Sequence, residues 1–210
     1  MFEKIPKPVA RRLAIYYRVL KEQSKNGAET ISSSSLGRML DLKPSQIRKD
    51  LSYFGGFGKR GTGYNVIDLM KSIEKILGID KRWNVLIIGA GKIGRALANY
   101  PGLIQDGFTI KGIVDVSEKK IGKTIDEHLT IEDVAEMEKI IRERKIEIGV
   151  LCVPSDVAQK VLNSVIQYGI KGIVNFVPKR LKAPKDVMIE DVQISLSFKA
   201  LSFRMVNSER

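Results

Sequence analysis

An α/β fold in two domains is predicted by three features of the sequence: a charge asymmetry between its two parts, a change of patterning near residue 82, and one glycine motif between an apolar run and a helix. The expected architecture is an N-terminal winged helix-turn-helix over residues 1–81, a Rossmann-type parallel α/β domain over 82–192, and a C-terminal helix over 193–210. Residues 1–82 hold 17 Lys and Arg against 8 Asp and Glu, a net of +9; the rest hold 19 against 16, a net of +3. A basic first part beside a nearly neutral second part points to a polyanionic partner for the first. No apolar run approaches the roughly 20 residues needed to cross a membrane, and the first residues do not read as a secretory signal. One cysteine, Cys152, and one histidine, His128, make neither an internal disulfide nor a metal cluster. The expectation is a cytoplasmic protein with no membrane or metal partner.

In the first part, Leu13, Tyr16, Tyr17 and Leu20 recur at helical spacing, and Gly27 is placed to follow the helix end. The run Ser32–Ser35 offers N-caps to a short second helix through Leu36, Met39 and Leu40. Pro44 stands where a first helical position would be, opening a third helix that should end at Gly55-Gly56. At 100° per residue, Ile47, Leu51 and Phe54 share one face of that helix, while Ser45, Arg48, Lys49 and Ser52 gather on the other. Two cations and two hydroxyls facing outward suit a helix that reads DNA: Arg reaches guanine or phosphate, Lys phosphate, and Ser either. Gln46, beside them, is expected to contact DNA as well. After this helix, residues 55–64 interleave five glycines with Lys59, Arg60 and two aromatics, as a β-hairpin wing would. There Lys59 and Arg60 can enter a narrow, A·T-rich minor groove. A phosphate-binding loop is the competing reading of that glycine run, but it has no strand–loop–helix context with Gly-Lys-Ser/Thr.

In the second part, strands are expected at Val85–Ile88, Ile110–Val114, Ile148–Val153 and Gly172–Phe176. Helices are expected over Arg95–Tyr100, after a capping box formed by Thr130 and Asp133, and over Asp156–Tyr168 before Gly169. Such alternation gives a parallel sheet covered on both faces. Gly89-Ala90-Gly91-Lys92-Ile93-Gly94 matches G-x-G-x-x-G where a strand passes into a helix, the context that makes the motif specific for a dinucleotide. Asp115, at the end of the next strand, is placed to accept the adenosine ribose hydroxyls and to repel a 2′-phosphate, favouring NAD(H) over NADP(H); Lys119 and Lys120 are nearby opposing charges. The turn Cys152-Val153-Pro154-Ser155 follows another strand and should border the ligand, with Cys152 itself a small core residue.

Catalytic residues are not evident. An NAD-dependent dehydrogenase is the alternative, yet His128 sits in a polar stretch and only about 30 residues follow the last expected strand of the nucleotide fold, too few for a substrate domain by size. A sensor of coenzyme A or another nucleotide on the same fold is a third possibility. Near the C-terminus, Ile194, Phe198, Leu201 and Met205 make an apolar helical stripe with Leu196 and Phe203 alongside. Packing on its own sheet is the simpler expectation for that stripe, and packing on a partner subunit the sharper one.

The sequence closely resembles the Rex family of redox-sensing repressors over almost its whole length. The resemblance rests on the run Gln46–Gly55, on Arg60-Gly61-Thr62-Gly63-Tyr64, on Gly89–Gly94, and on Gly169–Ile173 with Asn175-Phe176. It implies a homodimer with a domain-swapped C-terminal helix, a double-stranded A·T-rich palindromic operator, and release of DNA by NADH with NAD+ competing. By resemblance, Arg48 and Lys49 belong to the recognition helix, Lys59 and Arg60 to the wing, and Tyr100 lies near the nicotinamide. Many members carry an Asp where this chain has Gln193, proposed to switch between a Tyr matching Tyr100 and an Arg matching Arg18. Neutral Gln193 can hydrogen-bond either without an ion pair, and Asp191 is the nearest acid that could substitute.

Overall fold

A computed structural model describes residues 6–55 and 63–207, which fall into two compact units, Met1–Lys81 and Arg82–Arg210. In the first, α1 (Lys7–Lys25) buries Val9, Leu13, Tyr16 and Leu20, at intervals of four, three and four residues. A short strand β1 (Thr30–Ile31) leads to α2 (Ser33–Leu40), capped by the Ser32 hydroxyl, which accepts the Ser35 N–H at 2.9 Å. α3 (Pro44–Ser52) starts at Pro44 as expected but stops three residues before the glycine pair. Tyr53 and Phe54 form a turn closed by the Phe54 N–H on the Leu51 carbonyl, and Phe54 still packs on the core. β2 (Tyr64–Asn65) pairs antiparallel with β1; most of the expected wing over 55–64 lies outside the described residues.

α4 (Val66–Leu77) went unread in the sequence, although its signals were present: an Asn65 side chain capping the Asp68 N–H at 3.0 Å, apolar residues at helical spacing, and left-handed Gly78 at its end. Its Leu69 and Ile73 complete one core with α1, α2 and α3.

The second unit is a seven-stranded sheet. Its strands are β3 (Trp83–Ile88), β4 (Phe108–Asp115), β5 (Thr124–Asp126), β6 (Leu129–Asp133), β7 (Ile148–Leu151), β8 (Gly172–Asn175) and β9 (Met188–Asp191), in the order β5-β6-β4-β3-β7-β8-β9. All neighbours are parallel except β5 with β6. The helices between them are α5 (Lys92–Ala98), α6 (Pro101–Gln105), α7 (Met137–Glu143) and α8 (Ala158–Gln167), followed after β9 by α9 (Ile194–Asn207). β3 is central and buried on both faces: Leu86 and Ile88 pack toward α7 and α8, Val85 and Ile87 toward α5. That is why its sequence reads as a continuous apolar run rather than an alternating one. The chain order reverses at β3, so the carboxyl ends of β3 and β7 diverge at a switch point.

Several expected boundaries shift. The helix after the glycine motif begins at Lys92 and ends at Ala98, and Tyr100 instead precedes the separate α6. Thr130 caps nothing, since it lies in β6 opposite Thr124; Asp133 alone does the capping, accepting the Ala135 N–H before one turn of 3-10 helix leads into α7. The expected Asp156–Tyr168 helix starts two residues later and ends one earlier. β5, β6, β9 and α6 were not foreseen. Packing of α9 on its own sheet is not what the structure has: none of its residues is buried, and Phe198 and Phe203 are each 69 % exposed. Among the described residues no helix is long and apolar enough to cross a membrane, and no cluster of His, Cys, Asp or Glu could hold a metal ion.

Candidate functional site

The glycine motif is built by close approach. Gly89 leaves β3 at φ +104°, and a Cβ there would fall onto the Cys152 carbonyl. At Gly94 a Cβ would fall onto the Gly89 carbonyl and press on Ile87, so only glycine lets α5 sit against the strand end. Gly91 caps α5 and differs: a Cβ there meets no protein atom within 4 Å, although Gly91 lines a cavity. The space over Gly91 is the room a pyrophosphate needs beside the first-turn N–H groups of the helix. Lys92 and Ile93 are exposed on that turn, and Ala90 is fully buried beneath it.

The cavity measures about 790 Å³ and opens at the carboxyl ends of β3, β4 and β7. Of the residues singled out in the sequence, Gly89, Gly91, Asp115, Val153 and Pro154 line it, while Ala90, Lys92, Ile93, Gly94 and Tyr100 do not. The sequence reading missed the apolar wall of Val116, Val134, Met137, Val157 and Val161, and the cation Lys160; Lys120, already noted beside Asp115, lines the cavity too. That wall comes from loops and helices whose apolar residues look like ordinary core in sequence. Burial pushes the Cys152 thiol up to about 11, so it borders the cavity as a neutral group rather than a reactive thiolate.

Asp115 is 8 % exposed and holds the site together. Its Oδ2 accepts the Ala90 N–H at 2.8 Å and Lys120 Nζ at 2.9 Å, and its Oδ1 accepts the Ser117 N–H at 2.9 Å. Burial alone would raise this carboxyl, but the hydrogen bonds from Lys120, Ser117 and Ala90 outweigh it and hold it below the usual range. A carboxylate offers about four acceptor positions; three are filled, leaving one on Oδ1 open to a further donor. The residues present therefore fit a dinucleotide. Tyr100 is 58 % exposed, its ring lying over Gly102. Gln193 is exposed at the start of α9, with its carbonyl accepting the Leu196 N–H. The Asp191 carboxylate is engaged elsewhere: the fully buried Asn175 donates to it at 2.7 Å from the paired strand.

In the first unit, Ser45, Arg48, Lys49 and Ser52 are exposed on α3. Arg48 Nη1 donates to Ser33 Oγ at 2.9 Å, so α2 holds the guanidinium in place, and Ser52 Oγ donates to the Lys49 carbonyl. Gln46 departs from the expectation. Its amide turns inward and donates to Asp50 Oδ1 at 2.8 Å, four residues along the same helical face. Arg18 is exposed on α1. Lys59 and Arg60 lie outside the described residues.

Two family models match the chain, "CoA binding domain" over residues 80–179 and "Putative DNA-binding protein N-terminus" over residues 4–52. The Redox-sensing transcriptional repressor Rex 1 of Thermotoga maritima is 50% identical over 98% of each chain. The Redox-sensing transcriptional repressor Rex of Syntrophomonas wolfei is 44% identical over 99% of this chain and 98% of its own. Among solved structures, RSP in complex with β-NADH superposes with a TM-score of 0.90 at 42% identity, covering 98% of this chain and 96% of RSP. RSP in complex with β-NAD+ and operator DNA gives 0.91 at 43%, covering 98% and 94%. These relatives are repressors rather than enzymes, which sets aside the dehydrogenase reading. With half its residues shared with a repressor of the same length, and with both units matched, the chain belongs to the Rex family of redox-sensing transcriptional repressors.

Proposed function

We propose that this chain is a cytoplasmic, homodimeric repressor that binds an A·T-rich palindromic operator and releases it when NADH occupies the cavity at the switch point. Residues 1–81 form the DNA-reading domain, 82–192 the NAD(H)-binding domain, and 193–210 a helix swapped into a partner copy. The observation that carries this reading is the full-length likeness to RSP, a protein solved both with β-NADH and with β-NAD+ and operator DNA.

In this reading Ser45, Arg48, Lys49 and Ser52 face the major groove, and Lys59 and Arg60 the minor groove. Gly89, Ala90, Gly91, Lys92, Ile93 and Gly94 hold the pyrophosphate, Asp115 the adenosine ribose, Val153 and Pro154 the wall, and Tyr100 the nicotinamide end. When bound, the dinucleotide supplies no chemistry, only binding free energy that differs between two arrangements of the dimer. The shift in DNA affinity cannot exceed that difference, and DNA must weaken NADH binding by the same factor. The unburied apolar row of α9 supports a dimer, because a surface of that kind in one subunit calls for a covering partner.

Two substitutions probe the cavity and the switch. Asp115→Ala removes a charge-assisted acceptor and the anchor of Ala90, so calorimetry is expected to give NADH and NAD+ affinities both lower by roughly tenfold to a hundredfold. Loss confined to one oxidation state would count against the ribose assignment. Gln193→Asp restores a carboxylate that can form charge-assisted bonds to Arg18 or Tyr100, roughly twice as strong as neutral ones. It is expected to enlarge the NADH-induced drop in operator affinity; an unchanged drop would remove position 193 from the switch.

The direct test is fluorescence anisotropy of a labelled A·T-rich palindromic duplex at stated salt, titrating first NADH and then NAD+. Tight binding released by NADH and not by NAD+ is the expected result. Binding insensitive to both would refute the sensor.

A further inference from the structure

We infer that the ion pair of half-buried Arg12 with buried Asp50, completed by Tyr16 and Gln46, is a positioning device that sets the rotation of α3 on α1 and thereby the DNA selectivity of Arg48. The inference rests on the reading of α3 as the DNA-reading helix and adds a group of residues that touches no base.

Asp50 sits in the last turn of α3 and is fully buried, the single charged side chain in that state among the described residues of the first unit. Arg12 of α1 meets it with a two-toothed fork, Nε to Oδ2 at 2.5 Å and Nη2 to Oδ1 at 2.7 Å. The Tyr16 hydroxyl donates to Oδ2 at 2.7 Å, and Gln46 Nε2 donates to Oδ1 at 2.8 Å. Four donors thus fill the four acceptor positions of the carboxylate. The network leaves no spare capacity for water or a second arrangement.

Stability alone gives a poor reason for such a group. Taking the Asp50 carboxylate out of water carries a desolvation cost that roughly cancels its attraction to Arg12, and apolar replacements of similar size are often neutral or better. Ile47 and Leu51 already pack α3 on the core. Apolar packing is non-directional, however, so two aliphatic side chains on a nine-residue helix set its rotation less sharply than a directed ion pair does. A planar fork fixes angle as well as distance. Arg48 precedes Asp50 by two positions and so projects roughly 200° around the helix from it. Pinning the Asp50 side to α1 therefore aims Arg48 away from the core, where Ser33 steadies it. Gln46, one turn before Asp50, shares the pinned face, which makes it a positioning residue rather than a base reader.

The test uses the full chain and three variants, Arg12→Lys, Gln46→Met and the double Arg12→Met/Asp50→Leu. Anisotropy is recorded against the operator that RSP binds and against a scrambled duplex of equal composition, over a range of salt. Circular dichroism melts verify folding. Each folded variant is expected to bind scrambled DNA like the unmodified chain, with the same salt slope. The ratio of operator to scrambled affinity should fall about tenfold or more in Arg12→Lys and in the double variant, the scale of losing one aligned base contact, and several-fold in Gln46→Met. Arg12→Lys separates the roles: a phosphate contact by Arg12 would instead weaken both duplexes and lower the salt slope by about one. Unchanged selectivity in Arg12→Lys, or in a folded double variant, overturns the inference. If the double variant does not fold, Arg12→Lys decides. An unmodified chain without preference for the operator overturns the reading of α3 itself, and the positioning role with it.

Discussion

Arg48→Ala is expected to weaken operator binding by roughly 10- to 100-fold while leaving NADH affinity unchanged. The magnitude follows from the loss of one bidentate base contact, about 1–3 kcal/mol. Arg48 is suited to such a contact because it is exposed on α3, lies opposite the pinned Asp50, and is held by Ser33 from α2. Lysine would not replace it, since a point charge lacks the planar fork. The separation of effects follows from the division of the chain, with Arg48 in the first compact unit and the glycine-lined cavity in the second. Anisotropy on operator DNA and calorimetry with NADH measure the two quantities. Loss of NADH affinity in Arg48→Ala would contradict separate sites.

The second large effect is expected from α9. If the chain pairs through α9 as proposed, replacing Phe198 and Leu201 together by Glu should convert the dimer to a monomer and reduce operator affinity by more than a hundredfold. Both side chains are exposed in the single chain, at 69 % and 47 %, and full burial of such a side chain contributes about 1.5–3 kcal/mol. A symmetric dimer loses each contact twice and would also have to bury the new carboxylates. A monomer reads one half-site, so the second set of contacts to a palindrome is lost. Light scattering behind gel filtration should move from twice the 23.5 kDa chain mass to once that mass. A variant that stays dimeric would show that α9 is not the interface.

The sequence made the local elements of this fold legible where each signal is contained in a few adjacent residues. Gly89, Gly91 and Gly94 follow an apolar run and precede a helix, and the reasons only glycine serves at Gly89 and Gly94 are contacts within the same unit. Pro44, Ser32 and the stripe of Ile47 and Leu51 likewise report their own helices. β9 was hidden because Met188-Ile189-Glu190-Asp191 is a short edge strand with mostly exposed residues, lacking the apolar run that marked β3. β6 was misread because Thr130 and Asp133 have the spacing of a cap, and spacing cannot distinguish a cap from a strand.

What the sequence could not display is partnership over distance. Asp50 and Arg12 are 38 residues apart, Asp115 reaches Ala90 across 25, and Asn175 reaches Asp191 across 16. Gln46 was assigned to DNA for that reason: its neighbours in sequence are polar, while its actual partner is a buried carboxylate already claimed by α1. Asp191, the acid nearest to Gln193, is similarly occupied by Asn175, which leaves it poorly placed to substitute in the switch.

The most direct test of the central claim is the affinity for NADH measured with and without saturating operator DNA. A coupling free energy of about 2 kcal/mol predicts NADH binding roughly 30-fold weaker on the operator complex, matched by an equal loss of operator affinity in saturating NADH. Equal NADH affinities in the presence and absence of operator would mean that the two sites do not communicate, and would contradict the account.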